Sequence, residues 1–347
     1  MNFWLPYTHG GSGSDVSTRF LAAGLTAAGH VATAQQFHHG FQYFPWGLRT
    51  IPAPPNTDAI ITNTWNGFVF HRPNAVNITV ERLFVLDPEY LPYKTKPQAL
   101  FHKTLIAHFV RRSILSADIC VAVSDYTAKA LANTLQVPKP RMILNAVDTD
   151  FFSPEANDRR LGHRHTRPFR LLFVGNFTRR KGADLIPEIM KRLGPGFELE
   201  FTSGRLPRSG GDNPSNMRCL GRLSLVEVRD AYRRADALLF PSRLEGLPRT
   251  VMESLSCGTP VIASDSSSLP EAVDHQHTGL LCPAIDAHCF VAAIKKLAAD
   301  EALWQQMTYS ARETALARFS LRRMVAEYVE LVQELRERRQ RGAAIQV

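Results

Sequence analysis

The stretch that decides the fold runs from residue 169 to residue 182 and reads Phe-Arg-Leu-Leu-Phe-Val-Gly-Asn-Phe-Thr-Arg-Arg-Lys-Gly. Residues 169 to 174 form an apolar run typical of a buried β-strand, and a loop rich in glycine and cations follows. Leu185, Ile186 and Ile189 then recur at helical spacing. Strand, loop and helix in this order predict the repeating unit of a parallel sheet.

The same alternation of strands and helices extends in both directions along the chain. The first half has a helical pattern at 18–28, which ends at Gly29, and further strand candidates lie at 59–61, 76–80, 119–123, 197–201, 237–240, 261–263 and 279–281. Parallel strands need helical crossovers, which cover both faces of the sheet. The sequence therefore predicts two α/β domains of the same class, with the binding site in a cleft between them.

A polar, charged stretch with almost no apolar residues separates the two halves. We predict an N-terminal domain at 1–153, a linker at 154–168, a C-terminal domain at 169–320 and a terminal helix at 321–347. One face of that helix is apolar, so we expect it to pack on the protein, and the N-terminal domain can receive it. Direct contact with lipid is the less favoured alternative, both here and for a second amphipathic segment at 101–115.

Composition excludes several classes of protein. The 347 residues carry 41 Lys and Arg against 32 Asp and Glu, a net charge of +9, but the surplus is spread along the chain. No dense basic domain results, which argues against nucleic acid as a partner. The 5 cysteines show no Cys-x-x-Cys pair, so free thiols are favoured over zinc or disulfides. Without a signal sequence or an apolar run long enough to span a membrane, a cytoplasmic protein is expected.

Two segments are candidates for phosphate binding. Gly10-Gly-Ser-Gly13 precedes a helical pattern, but it lacks the third glycine of a dinucleotide fingerprint and the Lys-Ser/Thr ending of a P-loop. An NAD(P)-linked enzyme is therefore disfavoured, while a loop facing the cleft and a plain surface turn both remain open. The cations Arg179, Arg180 and Lys181 follow a strand, where open α/β sheets bind ligands. They could neutralise a diphosphate leaving group, or they could simply be solvated.

Residues 243–254, Arg-Leu-Glu-Gly-Leu-Pro-Arg-Thr-Val-Met-Glu-Ser, place two carboxylates around a predicted helix start at Pro248. Glu245 precedes the helix and Glu253 lies about a turn and a half inside it. Eight residues at roughly 100° each leave them some 80° apart and displaced along the axis, so they are not an adjacent acid pair. They could contact different parts of a long ligand whose phosphates lie at the helix N-terminus. A capping Glu245 and an exposed Glu253 are the structural alternative.

Taken in order, these segments resemble the retaining, nucleotide-sugar-dependent glycosyltransferases of the GT-B fold, in the large family 4 (glycosyl transferases group 1). The resemblance extends over nearly the whole chain. Its elements are Gly10-Gly-Ser-Gly13, Val121-Ala-Val-Ser124, Ile143-Leu-Asn-Ala-Val-Asp148, Val174-Gly with Lys181-Gly182, Ala235-Asp236 with Phe240-Pro-Ser242, and Glu245-Gly-Leu-Pro with Glu253 and Cys257-Gly-Thr-Pro-Val-Ile262. The set in this order is specific, although each element alone is weak. The resemblance implies two Rossmann-like domains facing a cleft.

The resemblance also implies a role for each donor-side residue. Lys181 is expected to be the cation at the leaving group, Glu245 to bind the donor sugar and Glu253 to bind the ribose hydroxyls. The donor site would further include Gly11, Ser12, Arg179, Arg180, Gly246, Leu247, Pro248, Arg249 and Thr250. Lys181 and Glu245 are thus the expected catalytic residues, with no metal and no cofactor beyond the nucleotide sugar.

Two departures from the family pattern concern activity and the acceptor. Asn176 stands where the family commonly has arginine, so Arg179 or Arg180 could supply that contact. The histidine that is common in the family after the strand corresponding to 76–80 is absent, which leaves His9, Arg82 and Asp87 as acceptor-side candidates. The expected acceptor is a polysaccharide or lipid-linked glycan, with a peripheral contact to the cytoplasmic face of the inner membrane allowed. An impaired protein that only binds the nucleotide sugar is the alternative.

Overall fold

The structure is a computed structural model that describes residues 1–10, 13–156, 167–203, 214–283 and 286–345, with side chains as far as residue 341. The chain forms two compact units. The first comprises Met1–Asn145 together with Leu321–Val347, and the second comprises Ala146–Ser320. Within the described residues, no helix is long and apolar enough to cross a bilayer.

Strands and helices alternate through the first unit. In chain order they are β1 (Asn2–Thr8), α1 (Gly13–Ala27), β2 (Val31–Phe37), β3 (Ala59–Asn63), β4 (Val76–Glu81), α2 (Lys96–Phe101), α3 (Ala107–Ser116), β5 (Ile119–Ala122), α4 (Asp125–Leu135) and β6 (Arg141–Met142). A π-helical turn at His102–Ile106 joins α2 to α3. The parallel sheet has the order β2-β1-β3-β4-β5-β6.

The second unit repeats this architecture. Its elements are β7 (Phe169–Phe173), α5 (Ile186–Leu193), β8 (Phe197–Thr202), β9 (Met217–Gly221), α6 (Leu225–Arg234), β10 (Ala237–Phe240), α7 (Arg249–Ser256), β11 (Val261–Asp265), α8 (Leu269–Ala272), β12 (Gly279–Pro283), α9 (Ala287–Ala299) and α10 (Glu301–Phe319). The last helix, α11 (Leu321–Ile345), belongs to the first unit. The second sheet is also parallel, with the order β12-β11-β10-β7-β8-β9.

Both sheets reverse their strand order at the first strand of the unit. In the second sheet β8 and β9 follow β7 on one side, whereas β10, β11 and β12 continue on the other. The crossovers that follow β7 and β10 therefore run to opposite sides of this point in the sheet. Open α/β sheets bind their ligands at such a switch point.

The predicted fold class is confirmed, since each predicted strand lies in one of the two parallel sheets. Four strands were not predicted, namely β1, β2, β6 and β9. Strand β1 is buried and paired on both sides, but Pro6 within it lacks the N–H of a central strand and hides the pattern. Strand β2 is an edge strand with few large apolar residues, and β6 has only two residues.

Helix α11 packs on α1 and β4 of the first unit. Its apolar side chains are almost completely buried, with Tyr328 exposed by 3% and Val332 by 0%. Gly24 of α1 makes this close approach possible, because a Cβ there would meet Leu321 Cδ1 at 2.7 Å. The apolar face of the terminal helix is thus covered by protein and is not available to lipid.

Residues 146–152, which the sequence assigned to the N-terminal domain, pack with the second unit. The Val147 N–H donates to Phe319 O over 2.8 Å, and Arg312 donates to the carbonyls of Thr149 and Phe152 at 2.8 and 3.1 Å. The unit boundary of the structure therefore precedes the predicted linker. Most of that linker, residues 157–166, lies outside the described residues.

Candidate active site

Two loops meet at the switch point of the second sheet. One follows β7 and carries Arg180 and Lys181, and the other follows β10 and carries Glu245. The strands are direct neighbours, with Leu171 paired to Ala237. A hydrogen bond of 2.8 Å from Arg243 N to Arg180 O ties the loops together. Adjacent strands therefore bring into contact residues more than sixty positions apart in sequence.

Gly182 allows the first loop to lie against the second. Its φ is +73°, and a Cβ at this position would lie 2.0 Å from the carbonyl oxygen of Pro241. Only glycine satisfies both the left-handed backbone and the close approach. The turn just before it, Arg179–Lys181, is thereby held next to the end of β10. The Lys181 ammonium lies 4.9 Å from the centre of the Phe240 ring.

The Glu245 carboxylate is the centre of this arrangement. Its Oε1 lies 2.7 Å from Lys181 Nζ and 3.1 Å from Arg180 Nη1, and it accepts a hydrogen bond of 2.6 Å from Ser242 Oγ. The side chains of Glu245 and Lys181 are only 8% and 15% exposed. Moving this carboxylate away would leave buried charges without a partner, which is costly. The two cations therefore hold the carboxylate in position.

A third loop, which follows β11, holds the backbone of Glu245. The Glu245 N–H donates to Ser267 Oγ at 3.0 Å, and Ser268 Oγ donates to Glu245 O at the same distance. Ser267 has a φ of +49°, which is uncommon for a residue other than glycine. Sequence reasoning missed these serines. Their signal was the run of residues 265–270, Asp-Ser-Ser-Ser-Leu-Pro, directly after a predicted strand.

The charges of the cluster depend on each other. Burial by itself would raise the pKa of Glu245, but Lys181 and Arg180 outweigh it and hold that pKa below its ordinary value. For Lys181, burial lowers the pKa, and the attraction of Glu245 opposes this change. Glu245 is therefore a fixed anion at neutral pH. Two cations around one carboxylate leave a local excess of positive charge, which suits an anionic ligand.

Helix α7 begins directly after this cluster, with Pro248 as its flanking residue. Glu253, on the second turn, is 9% exposed rather than solvated. Tyr232 OH of α6 donates to Glu253 Oε2 at 3.2 Å, and Arg249 Nη2 lies 3.4 Å from Oε1. Burial raises the pKa of Glu253 in spite of these partners. Sequence reasoning missed Tyr232, which is buried on a different helix.

The remaining predicted donor residues differ in their exposure and their contacts. Gly246, Leu247 and Pro248 are buried between Glu245 and the start of α7, and Thr250 is half-buried on its first turn. Arg249 is the first residue of α7, where the helix dipole disfavours a cation, and Glu253 one turn later offsets that cost. Arg179 is exposed, and its carbonyl accepts a hydrogen bond from Arg243. Gly11 and Ser12 lie outside the described residues.

The acceptor-side candidates lie in the first unit. His9 Nδ1 is 3.1 Å from Asp15 Oδ2, which also accepts a hydrogen bond from Gly10 N at 2.9 Å. Arg82, beyond the end of β4, donates to Ser14 Oγ at 3.4 Å. Both residues thus contact the start of α1 or the loop before it.

Asp87 is positioned differently. Its carboxylate is buried and accepts hydrogen bonds from Tyr126 OH at 2.7 Å and from Glu89 N at 2.9 Å. The second of these caps the turn that begins at Pro88. The contacts of Asp87 are therefore those of a structural residue.

Glu81, the last residue of β4, is a buried carboxylate that sequence reasoning did not choose as a candidate. It accepts hydrogen bonds from Thr64 Oγ1 at 2.7 Å and from Leu83 N at 3.1 Å. Burial raises its pKa, and the hydrogen bond from Thr64 is the largest opposing effect. Its position at the end of a predicted strand was the available signal.

A search for metal-binding geometry gives no candidate in the part of the chain that the structure describes. No three or more His, Cys, Asp or Glu side chains there are grouped closely enough to hold an ion. The described site contains fixed cations, a helix N-terminus and two buried carboxylates.

Comparison with known sequences identifies the family to which this site belongs. Residues 168–300 match the sequence model of the family "Glycosyl transferases group 1". The second unit of this chain belongs to that family. A curated relative is the amylovoran biosynthesis glycosyltransferase AmsK of Erwinia amylovora, 29% identical over 196 residues. The match covers 51% of this chain and 48% of AmsK, so this chain spans about half the length of that relative.

Solved structures share the fold over nearly the whole chain. Sucrose-phosphate synthase from Thermosynechococcus elongatus superposes with a TM-score of 0.81 at 20% identity, covering 96% of this chain and 99% of that one. Anabaena HepE, solved in complex with UDP-glucose, gives a TM-score of 0.72 at 15% identity, with coverage of 96% and 100%. The chain therefore has the GT-B fold of two Rossmann-like domains, as the sequence resemblance implied.

Proposed function

We propose that the protein transfers a sugar from a nucleoside diphosphate sugar to an acceptor hydroxyl, with retention of anomeric configuration and without a metal ion. One observation carries the proposal: Lys181 and Arg180 surround Glu245 at the switch point, directly before helix α7. This combination offers cations to a diphosphate and a carboxylate to sugar hydroxyls. The match to the group 1 family supports the same reaction.

The leaving group is the step that these charges assist. As the bond from the anomeric carbon to the diphosphate oxygen breaks, its electron pair leaves on the diphosphate. The acceptor oxygen bonds to the anomeric carbon on the same face, and the acceptor proton passes to the departing diphosphate oxygen. Lys181, with Arg180 beside it, stabilises this developing charge, and the peptide N–H groups at the start of α7, after Pro248, take part. Because fixed cations supply the positive charge, no divalent ion is needed in this proposal.

The two carboxylates position the donor in our proposal. Glu245 is immobilised through Oε1 and the backbone, so it can accept hydrogen bonds from hydroxyls of the donor sugar in a fixed direction. Glu253, one helical turn inside α7, would accept hydrogen bonds from the ribose hydroxyls. Glu245 orients the sugar and does not attack it. Arg179, which is exposed, would contact the distal end of the diphosphate.

The acceptor is the second substrate of the proposed reaction. We propose a hydroxyl of a polysaccharide or a lipid-linked glycan as the acceptor, and the relative AmsK bears the name of a biosynthesis glycosyltransferase. His9 and Arg82 are our acceptor-side candidates in the first unit. Asp87 is the weakest candidate because its carboxylate is already engaged by Tyr126 and Glu89. A cytoplasmic location stays a prediction from the sequence.

Release of the nucleoside diphosphate tests the proposal without knowledge of the acceptor. Purified protein is incubated with UDP-, GDP- and ADP-sugars, with and without a metal chelator, and the released nucleoside diphosphate is quantified. We expect one donor to be cleaved at an unchanged rate in chelator, and NMR of the product to show the donor's anomeric configuration. Inverted product would refute retention, and absence of cleavage with every donor and acceptor extract would refute the transferase itself.

A further inference from the structure

The first unit exposes large apolar side chains in one turn, residues 43–46. Phe44 is 74% exposed, Tyr43 48% and Trp46 41%. The Tyr43 and Trp46 rings lie 5.5 Å and 5.4 Å from the rings of Phe101 and Phe109. Since those partners are eight residues apart on the helical segment 96–116, the turn lies along that segment.

The helical segment itself presents a mixed face to solvent. Leu100 is 65% exposed and Leu115 64%, and the exposed residues Lys103 and Arg111 lie between them at helical spacing. We call residues 43–46 and the exposed face of 96–116 the aromatic-basic surface. Exposed apolar side chains that cluster in this way mark an interaction site more often than isolated ones do.

The charge of the aromatic-basic surface has one sign. Residues 90–117 contain Lys94, Lys96, Lys103, Arg111 and Arg112 but no Asp or Glu, and residues 16–57 also contain no acidic residue. The flanking carboxylates, Glu89 and Asp118, stand at the two ends of the helical segment. No salt bridge within the described residues involves Lys96 or Lys103.

Helix α11 differs from the aromatic-basic surface, because arginines of α11 pair with carboxylates. It is also rich in arginine, but Arg336 lies 2.7 Å from an oxygen of Asp58, and Arg339 lies 2.7 Å from Asp118. Its apolar side chains are buried as well. Of the two amphipathic segments in the sequence, the one at 96–116 exposes cations together with two large apolar side chains, Leu100 and Leu115, while its other large apolar side chains are buried or half-buried.

We propose that the aromatic-basic surface docks the protein on an anionic lipid bilayer. Tyr and Trp rings prefer the interface of a membrane, apolar tips such as Phe44 and Leu100 enter it, and lysines and arginines pair with anionic headgroups. A bilayer supplies negative charge and apolar depth together, which matches the absence of carboxylates here. The proposal is independent of sugar transfer and is tested without any donor.

Trp46 provides a direct reporter for docking. It is 41% exposed, whereas Trp4 and Trp304 are completely buried and Trp65 is half-buried against His102. Vesicles of phosphatidylcholine with phosphatidylglycerol should shift its fluorescence to the blue, and brominated lipid should quench it. Vesicles of phosphatidylcholine alone should have little effect, and W46F should lose the signal while still floating with anionic vesicles.

Two double variants separate the contributions to docking. F44S/L100S removes apolar tips, and L225S in the second unit, at 64% exposure, is the control matched to Leu100. K96A/K103A removes two cations, and K191A/K295A removes two exposed lysines of the second unit. We expect each surface variant to lose vesicle affinity, by roughly 30-fold for the lysine pair, and the controls to keep it. Unchanged thermal unfolding verifies that each variant is folded.

Three outcomes would overturn the proposal. They are no flotation with anionic vesicles, equal binding to phosphatidylcholine alone, and equal losses in the surface variants and their controls. Analytical sedimentation without lipid tests a fourth outcome, self-association of the protein. If the protein self-associates but does not float with vesicles, and F44S/L100S abolishes the self-association, the surface binds a second copy of the chain and not a bilayer. None of these results bears on donor cleavage, so failure here leaves the transferase proposal intact.

Discussion

The ammonium of Lys181 lies 2.7 Å from Oε1 of Glu245, and both side chains are largely buried. The pair joins the loop after β7 to the loop after β10, so a charge at one strand end is fixed by a charge at the next. A diphosphate placed beside the pair would find Lys181 and Arg180 already oriented. Such preorganisation lets fixed charges stabilise a leaving group without a reorganisation cost.

Replacing Lys181 with alanine should lower the turnover number kcat. Loss of one preorganised charge that acts on a leaving group typically lowers kcat by about 10²- to 10³-fold. Steady-state assays of nucleoside diphosphate release give this number, and K191A, an exposed lysine on α5, is the matched control. Wild-type turnover in K181A would remove Lys181 from the mechanism.

Replacing Gly182 with alanine should destabilise the second unit and displace the loop. The residue has φ +73°, and the new Cβ would lie 2.0 Å from Pro241 O, so backbone must move. We expect a loss of about 1 to 3 kcal/mol in the free energy of unfolding, measured by chemical denaturation. Gly196 has open space around its Cβ position, so G196A should cost little. Equal stability of the two variants would contradict the account of the loop.

The carboxylates Glu245 and Glu253 should affect stability with opposite pH dependence. The pKa of Glu245 is lowered in the folded protein, so its contribution is complete above the unfolded value near 4.5 and is lost as pH falls through the folded pKa. E245Q should therefore be less stable than wild type at neutral pH, with a difference that shrinks in acid. Urea denaturation from neutral pH down to about pH 3, well below the unfolded pKa, measures it.

For Glu253 the folded pKa is raised, so its favourable contribution is complete below 4.5 and is lost as pH rises through the folded value. E253Q should therefore gain stability relative to wild type at neutral pH, and the gain should vanish in acid. The same urea series detects it. Parallel pH profiles for E245Q and E253Q would show that the two environments do not differ as described.

The sequence was sufficient for the fold where strands were apolar throughout, as at residues 237–240, because parallel strands are buried on both faces. It was insufficient for β1, whose Pro6 breaks the expected pattern, although this strand occupies an inner position of its sheet. The apolar pattern reports only the local sequence. The pairing of β1 with β2 and β3 depends on residues that lie far away in the sequence.

The candidate site shows the same division. Lys181, Glu245 and Glu253 were predicted from their positions relative to strands and a helix start together with the family resemblance, which alone assigned their roles. Ser267 and Tyr232 could not be predicted, because they act through tertiary contacts with Glu245 and Glu253 that only the packed sheet and helices create. The exposed Arg179 and the engaged Asp87 are likewise distinguished from their neighbours only by burial and contacts.

Donor binding by the α7 region tests the central claim most directly. Thermal unfolding of wild type, K181A, E253A and the control E313A, an exposed glutamate of α10, is followed with UDP-, GDP- and ADP-sugars. We predict that one donor stabilises wild type and E313A in a concentration-dependent way, and that K181A and E253A lose most of this shift. Equal stabilisation of all four proteins, or of none by any donor, would contradict the proposed donor site.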